Sequence, residues 1–155
     1  MDINSVDKLS KQYIWQDAVG LITKSLGEAA GSQKIYVNID YVPPKAYSTK
    51  YHSHSQQEEF FMILSGTGTL RLNDEEKTVR QGDFIAKPAG KNIAHTFYNS
   101  GNDILTILDV GTNESEDTCY YPDADMYMQK SNGLKRIFSG ANLNTSWSPE
   151  PNPKE

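Results

Sequence analysis

The chain has 155 residues and a formal net charge of −5, from 15 lysines and arginines against 20 aspartates and glutamates. That length holds one domain with a sizeable core, and the charge leaves no basic surplus for gripping a nucleic-acid backbone. A hydrophobic fraction of 37%, with 9 tyrosines and 5 phenylalanines, points to a packed fold rather than disorder, and the longest apolar run, Phe60 to Leu64, is far too short to span a bilayer.

Residues 1–33 read as an N-terminal arm packed over the outside of the main domain. Within it Tyr13, Ile14, Trp15, Ala18 and Val19 line part of an expected short helix, which Gly20, Gly27 and Gly31 keep from growing. The first residues, Met1-Asp2-Ile3-Asn4, have neither the basic segment nor the apolar stretch of a secretory signal. One cysteine, Cys119, rules out an intramolecular disulfide and fits a reducing compartment, so a cytoplasmic location is expected.

From residue 34 the hydrophobic period becomes two: Ile35, Val37, Ile39 and Tyr41 alternate with Tyr36, Asn38, Asp40 and Val42 until Pro43-Pro44 ends the strand. Further short strands are predicted near 47–54, 58–64, 68–72, 76–80, 83–87, 94–99 and 103–110. Turn residues separate them, among them Asn73-Asp74, Arg80-Gln81-Gly82-Asp83 and Asn99-Ser100-Gly101-Asn102. No stretch of 34–110 can supply a crossover helix, so the fold class is all-β, a sandwich or small barrel. Two more strands, 126–129 and 134–138, joined through Ser131-Asn132-Gly133, carry the barrel domain to residue 138. Residues 139–155 read as a tail, with prolines at 149, 151 and 153 and little that is apolar beyond Trp147.

The three histidines stand at 52, 54 and 95. Period-two geometry puts His52 and His54 on one face, where their imidazoles can converge. Glu58 and Glu59 open the next strand; parity does not choose between them, because each shares its face with apolar residues. His95 lies in a strand after Gly90, where a barrel can bring it opposite the pair. Three neutral nitrogens and one carboxylate suit a single divalent ion (Zn, Mn, Fe, Ni or Co) with positions left for water or substrate.

The run from His52-Ser53-His54 through Glu59, with six residues more to Gly66, resembles the first cupin motif, and Gly82, Pro88, Gly90, His95 and Asn99 resemble the second. The likeness covers about residues 35–110 and extends to a subgroup of single-domain cupins with a stretched second motif, echoed here by Val110-Gly111-Thr112 and Tyr121-Pro122-Asp123. It implies a double-stranded β-helix (jelly-roll) barrel and a metal ligand set of His52, His54, Glu59 and His95, the spacing to Gly66 favouring Glu59 over Glu58. Four residues, Lys91 to Ala94, separate Gly90 from His95 where the usual motif has two; strand parity survives, and the loop at the barrel mouth lengthens.

Phe61, Ile63 and Phe97 are expected in the barrel core, and Tyr47 and Tyr51 in cross-strand packing. Lys45, Lys50, Lys87 and Lys91 are expected to be ordinary solvated lysines, with reception of a substrate phosphate or carboxylate as the alternative. Cys119 is expected to be a buried structural thiol. The function expected is a metal-binding cupin acting on a small polar molecule, of the sugar-phosphate-isomerase-like kind. An Fe(II) dioxygenase and a non-catalytic small-molecule sensor are the alternatives. Its partners would be that small molecule and a second copy of itself in a homodimer, with no nucleic acid and no membrane.

Overall fold

The alternation that begins at residue 34 becomes β3 (Ile35–Val42), and β3 is paired on both sides. The computed structural model describes residues 3–143 and has one short helix, α1 (Leu26–Ala30), closed by Gly31 at φ 82°. Everything else that is regular among the described residues, apart from three single 3-10 turns, is strand. No helix among the described residues is long and apolar enough to cross a membrane.

Six strands form the largest sheet. They are β1 (Gln12–Gln16), β2 (Val19–Ser25), β3, β5 (Glu59–Ser65), β8 (Phe84–Lys87) and β10 (Leu105–Thr112), in the order β1-β2-β3-β10-β5-β8 with all neighbours antiparallel. A three-stranded sheet holds β6 (Thr67–Leu72), β7 (Glu75–Arg80) and β9 (His95–Tyr98) in the order β7-β6-β9. A four-stranded sheet runs β13-β12-β11-β4, from β4 (Ser53–His54), β11 (Asp117–Tyr121), β12 (Met126–Ser131) and β13 (Leu134–Ser139). The whole is the expected all-β jelly-roll barrel. Val42, Phe61, Ile63, Leu70, Phe97, Leu105 and Ile107 form its core, all at most 5% exposed.

Local chemistry sets the corners. Asn73 and Asp74 both take positive φ (48° and 64°), as do Asn132 and Gly133 (50° and 76°), so both hairpins turn through two left-handed residues that match strand twist. Gly66 has φ 84°, and a Cβ there would stand 2.6 Å from the Ile104 carbonyl oxygen, so the end of the first motif needs a glycine. Asn99, fully buried, donates to the carbonyls of Val42 (2.7 Å) and Asp103 (2.8 Å) and accepts from Gly101 N–H (3.0 Å). That motif residue is a clamp on the strand end.

Two expectations change. The short helix over 13–19 is instead the β1–β2 hairpin, registered Gln12↔Thr23 to Gln16↔Val19; Asp17 at φ 53° makes the reversal that a helix would not tolerate. The N-terminal segment therefore extends the main sheet through β2–β3 pairing. The strand expected at 47–54 is regular only at β4, because the segment changes partners: Ser48 N–H donates to Phe97 O (2.8 Å), His52 bridges His95, and His54 pairs with Cys119. Of the expected tail 139–155, Ser139 ends β13 and Gly140–Asn142 form a 3-10 turn; residues 144–155, with Trp147, lie outside the described residues, as do Met1 and Asp2.

Candidate metal centre

The partner change of segment 48–54 builds the site. His52 exchanges backbone hydrogen bonds with His95 on β9 (2.9 and 3.2 Å), and two residues later His54 pairs with Cys119 on β11, so two sheets meet across His52-Ser53-His54. Glu59, first residue of β5, is buried at 5% exposed, while Glu58 faces solvent. Ring or carboxylate atoms of His52, His54 and Glu59 all lie within 4.8 Å of one another.

Each histidine has a defined orientation. His52 Nδ1–H donates to the Lys50 carbonyl (2.7 Å), and His54 Nδ1–H donates to Asp117 Oδ2 (2.5 Å). Both partners only accept, so each ring carries a proton on Nδ1 and turns its Nε2 edge toward the other. Those two Nε2 atoms stand 3.1 Å apart, and His54 Nε2 is 3.5 Å from Glu59 Oε1. Two imidazole nitrogens and a carboxylate oxygen converge on one point. The donor set thus fits a divalent metal, and Asp117–His54 has the carboxylate–histidine arrangement that orients a metal ligand. Asp117 is itself fixed, its Oδ1 accepting from Gln56 N–H (2.9 Å), Ser55 N–H (3.1 Å) and the Ser55 hydroxyl (3.1 Å). Burial opposes its ionisation, but these bonds and His54 outweigh burial and hold the carboxyl well below the usual range.

Burial, helped by Lys87 and His54, pushes His52 down to about 4, keeping the ring neutral and able to ligate. Burial would raise Glu59, but Lys87 and His54 reverse that and keep it ionised. The Tyr36 hydroxyl bridges Glu59 Oε1 (3.1 Å) and Asp109 Oδ1 (3.0 Å), and burial beside these acids drives its pKa far up.

His95 is buried, 2% exposed, with its ring 5.0 Å from that of His52 and 4.7 Å from that of Phe61. Its Nδ1 faces Lys87 Nζ at 2.7 Å and stands 3.9 Å from Glu59 Oε2. Lys87 is the main surprise. Expected in solvent, it is 2% exposed and also lies 2.5 Å from Glu59 Oε2, its cross-strand neighbour in β5–β8. Lys45, Lys50 and Lys91 are exposed as expected. The lengthened loop before His95 docks on the β6–β7 turn, where Asn73 and Ala94 exchange backbone and side-chain hydrogen bonds (3.0 and 3.2 Å).

A second group of potential ligands, His54, Asp117 and Cys119, overlaps the first at His54. Cys119 is the buried thiol expected, but it lies 3.3 Å from His54 Nδ1, and burial beside Asp117 pushes it up to about 12. Asp117 and Lys87 are neighbours of the three converging residues that the sequence reading did not place beside them.

His52 opens on a cavity of about 580 Å³ walled by Leu21, Met126, Met128 and Ile137, with Lys50 and Tyr121 on its polar side. A second cavity of about 770 Å³, carrying Arg71 and Glu76, shares Thr49, Lys50 and Tyr121 with the first. Arg71 is engaged by Asp74 and Asp123 (both 2.7 Å) and lies 3.7 Å over the Tyr51 ring. Tyr121 stacks on His52 with ring centres 5.7 Å apart.

The family model of the Cupin domain matches residues 39–111. A stretch of 67 residues is 36% identical to an uncharacterised protein of Methanocaldococcus jannaschii; it spans 43% of this chain and about half (52%) of that protein's length. The structure superposes with a TM-score of 0.87 on a protein of Acidithiobacillus ferrooxidans provisionally described as a sugar phosphate isomerase, at 25% identity over 92% of this chain and 93% of that one. A sugar phosphate isomerase of the cupin superfamily from Silicibacter pomeroyi gives 0.83, at 27% identity over 93% and 98%. With its jelly-roll strands in place and both histidine motifs in one site, the chain belongs to the cupin superfamily.

Proposed function

We propose that this protein is a metal-dependent, isomerase-like cupin acting on a small polar molecule of the sugar-phosphate kind. The observation that carries the reading is the convergence of His52 Nε2 and His54 Nε2, 3.1 Å apart, beside the buried Glu59 carboxylate. The likeness to two proteins described as sugar phosphate isomerases, over more than nine-tenths of each chain, supports the substrate class. His52, His54 and Glu59 would hold the metal, with His95 against them. When bound, such an ion polarises carbonyl and hydroxyl oxygens, the chemistry that aldose–ketose interconversion needs. Tyr121, pushed up to about 12 by burial, keeps its phenol proton at neutral pH and stands on the cavity wall as a hydrogen-bond donor. Lys50 lines both cavities and offers a positive charge to a phosphate or carboxylate. Val19, Leu21 and the two methionines exclude water around the His52 edge.

A second reading, an Fe(II)-dependent dioxygenase, draws on the two-histidine, one-carboxylate group, a face that leaves positions open on iron. The protein would work as a homodimer in the cytoplasm. Edge strand β1, with Tyr13 and Trp15 68% and 64% exposed, offers surface for a second copy, and Cys119 is a free thiol as a reducing compartment allows.

The test is elemental analysis of protein purified without a metal-binding tag, for wild type and His54→Ala, followed by turnover assays. Near-stoichiometric metal in the wild type, lost in the variant, with interconversion of aldose and ketose phosphates, is the expected result. Oxygen consumption with iron bound would move the protein to the dioxygenase reading. Tight ligand binding without turnover would make it a sensor.

A further inference from the structure

Register assigns every residue of the six-stranded sheet to one of its two faces, because directly opposed residues of antiparallel strands point the same way. Leu21, Phe61, Ile63 and Ile107 are buried in the barrel core, so the alternate positions lie on the outer face. One row across that face runs Ile39, Leu108, Met62 and Phe84. The next runs Val37, Val110, Phe60 and Ala86. A third, Tyr13, Ile22, Tyr41 and Thr106, carries it to the β1 edge. An antiparallel sheet that ends in water alternates apolar-in with polar-out, and this one is apolar on both sides. The charged residue in these rows is Lys24, beside Ile39; it is 7% exposed and donates to the Val6 carbonyl (2.7 Å). The large side chains are not covered in the same way. Phe84 is 67% exposed and stacks on Phe60 with ring centres 6.0 Å apart, and Tyr13 at the other end of the sheet is equally open.

Building on the homodimer proposed above, we infer that two copies of this chain pair face to face through the outer surface of the large sheet. Six strands about 4.8 Å apart and about six residues long make a strip of about 24 by 20 Å, so two facing copies cover about 1,000 Å² in outline, the size a specific interface needs. Each copy carries a net charge of −5, and a face without free charge is where two such copies can approach. A lipid surface fits less well, since a membrane-docking face surrounds its apolar side with lysines and arginines, and the lysine here is buried. The same apolar surface on both partners meets itself across a two-fold axis. Ile14 and Leu21, which wall the cavity beside His52, lie on the opposite face, so pairing leaves that cavity open to small molecules.

The test is sedimentation equilibrium of the full chain as wild type, Phe60→Lys and Phe84→Lys. The wild type is expected to sediment as a dimer. Each variant is expected to weaken association by about a hundredfold or more, because two-fold symmetry brings the new charge into the interface twice. β8 lies at the far end of the sheet from β1, so a dimer built by extending edge strand β1 would not respond to Phe84→Lys. A dimer that survives in both variants overturns the inference and leaves the homodimer standing. A monomeric wild type overturns the homodimer and the inference together, and its co-sedimentation with vesicles of phosphatidylcholine and phosphatidylglycerol would assign the face to lipid instead. If Phe60→Lys does not fold, Phe84→Lys decides alone, since a lysine there stands in water in the monomer.

Discussion

The two flanks of the histidine cluster are built from the same side chain and opposite charges. On the β11 flank, Asp117 accepts from His54 Nδ1 and so orients its Nε2 toward Glu59; on the β8 flank, Lys87 Nζ stands 2.7 Å from His95 Nδ1 and 2.5 Å from Glu59 Oε2. An imidazole's use is therefore decided by what stands behind it, a carboxylate on one side and an amine on the other. A motif of histidines names the ring and leaves the proton unplaced.

The largest effect should come from removing the cation on the β8 flank. Lys87→Met strands Glu59 in the interior, and breaking a buried pair in this way should destabilise metal-free protein by about 3–5 kcal/mol. Saturating metal should recover much of that loss, because a bound ion takes over the role of counter-charge. Urea denaturation with and without chelator measures both arms. A variant as stable as wild type in chelator would mean that Lys87 is not the partner Glu59 depends on.

On the other side of β5 from β8, toward β10 and β3, Glu59 is followed by more acid. Tyr36 links Glu59 to Asp109, and Asp40 lies nearby on β3. Burial pushes Asp40 from 3.8 up to about 6 and Asp109 well above its ordinary value. A raised acid binds its proton more tightly folded than unfolded. Its contribution is therefore complete below about pH 4 and is lost as pH climbs through about 6. Asp40→Asn cannot titrate, so the stability of the variant relative to wild type should rise by about 3 kcal/mol between pH 4 and pH 7. Denaturation curves at unit pH steps give the comparison, and a difference that stays flat would remove Asp40 from the acid reservoir.

On the β11 flank the expected effect falls on binding. Asp117→Asn keeps the shape but loses the charge, and metal affinity should drop about 10- to 100-fold. Calorimetric titration with Co(II) reads this, and an unchanged affinity would break the contrast between the flanks.

These two flanks also mark how far the sequence could be read. His52 and His54 were legible because neighbours at a spacing of two share a face by geometry alone, and the Asn73-Asp74 and Asn132-Gly133 corners because left-handed turns select their residues. Asp117 was not, lying 63 residues from His54 on a different strand, in a stretch that reads only as acidic and polar. Lys87 was hidden by its type, since lysine is expected in water. One signal was available: Lys87 shares parity with Ile85, which packs on the core, so the strand directs both inward. The N-terminal hairpin went unread because Tyr13-Ile14-Trp15 fits a short helix as well as a strand, and only pairing with β2 decides.

The smallest expected effect belongs to Cys119, and it separates the two overlapping ligand groups. Were the ion held by His54, Asp117 and Cys119, it would need His54 Nδ1, the atom that Asp117 already occupies at 2.5 Å. It would also need a thiolate, and burial beside Asp117 pushes this thiol up to about 12, so at neutral pH the sulfur keeps its proton. Cys119→Ala should therefore leave Co(II) affinity within about twofold of wild type, against the 10- to 100-fold drop of Asp117→Asn. The Co(II) wild type should show no thiolate charge-transfer band, and iodoacetamide should label the native thiol slowly at pH 8. An intense near-ultraviolet band that disappears in Cys119→Ala would shift the ion to the β11 side, making Asp117 a ligand in place of the carboxylate that orients one.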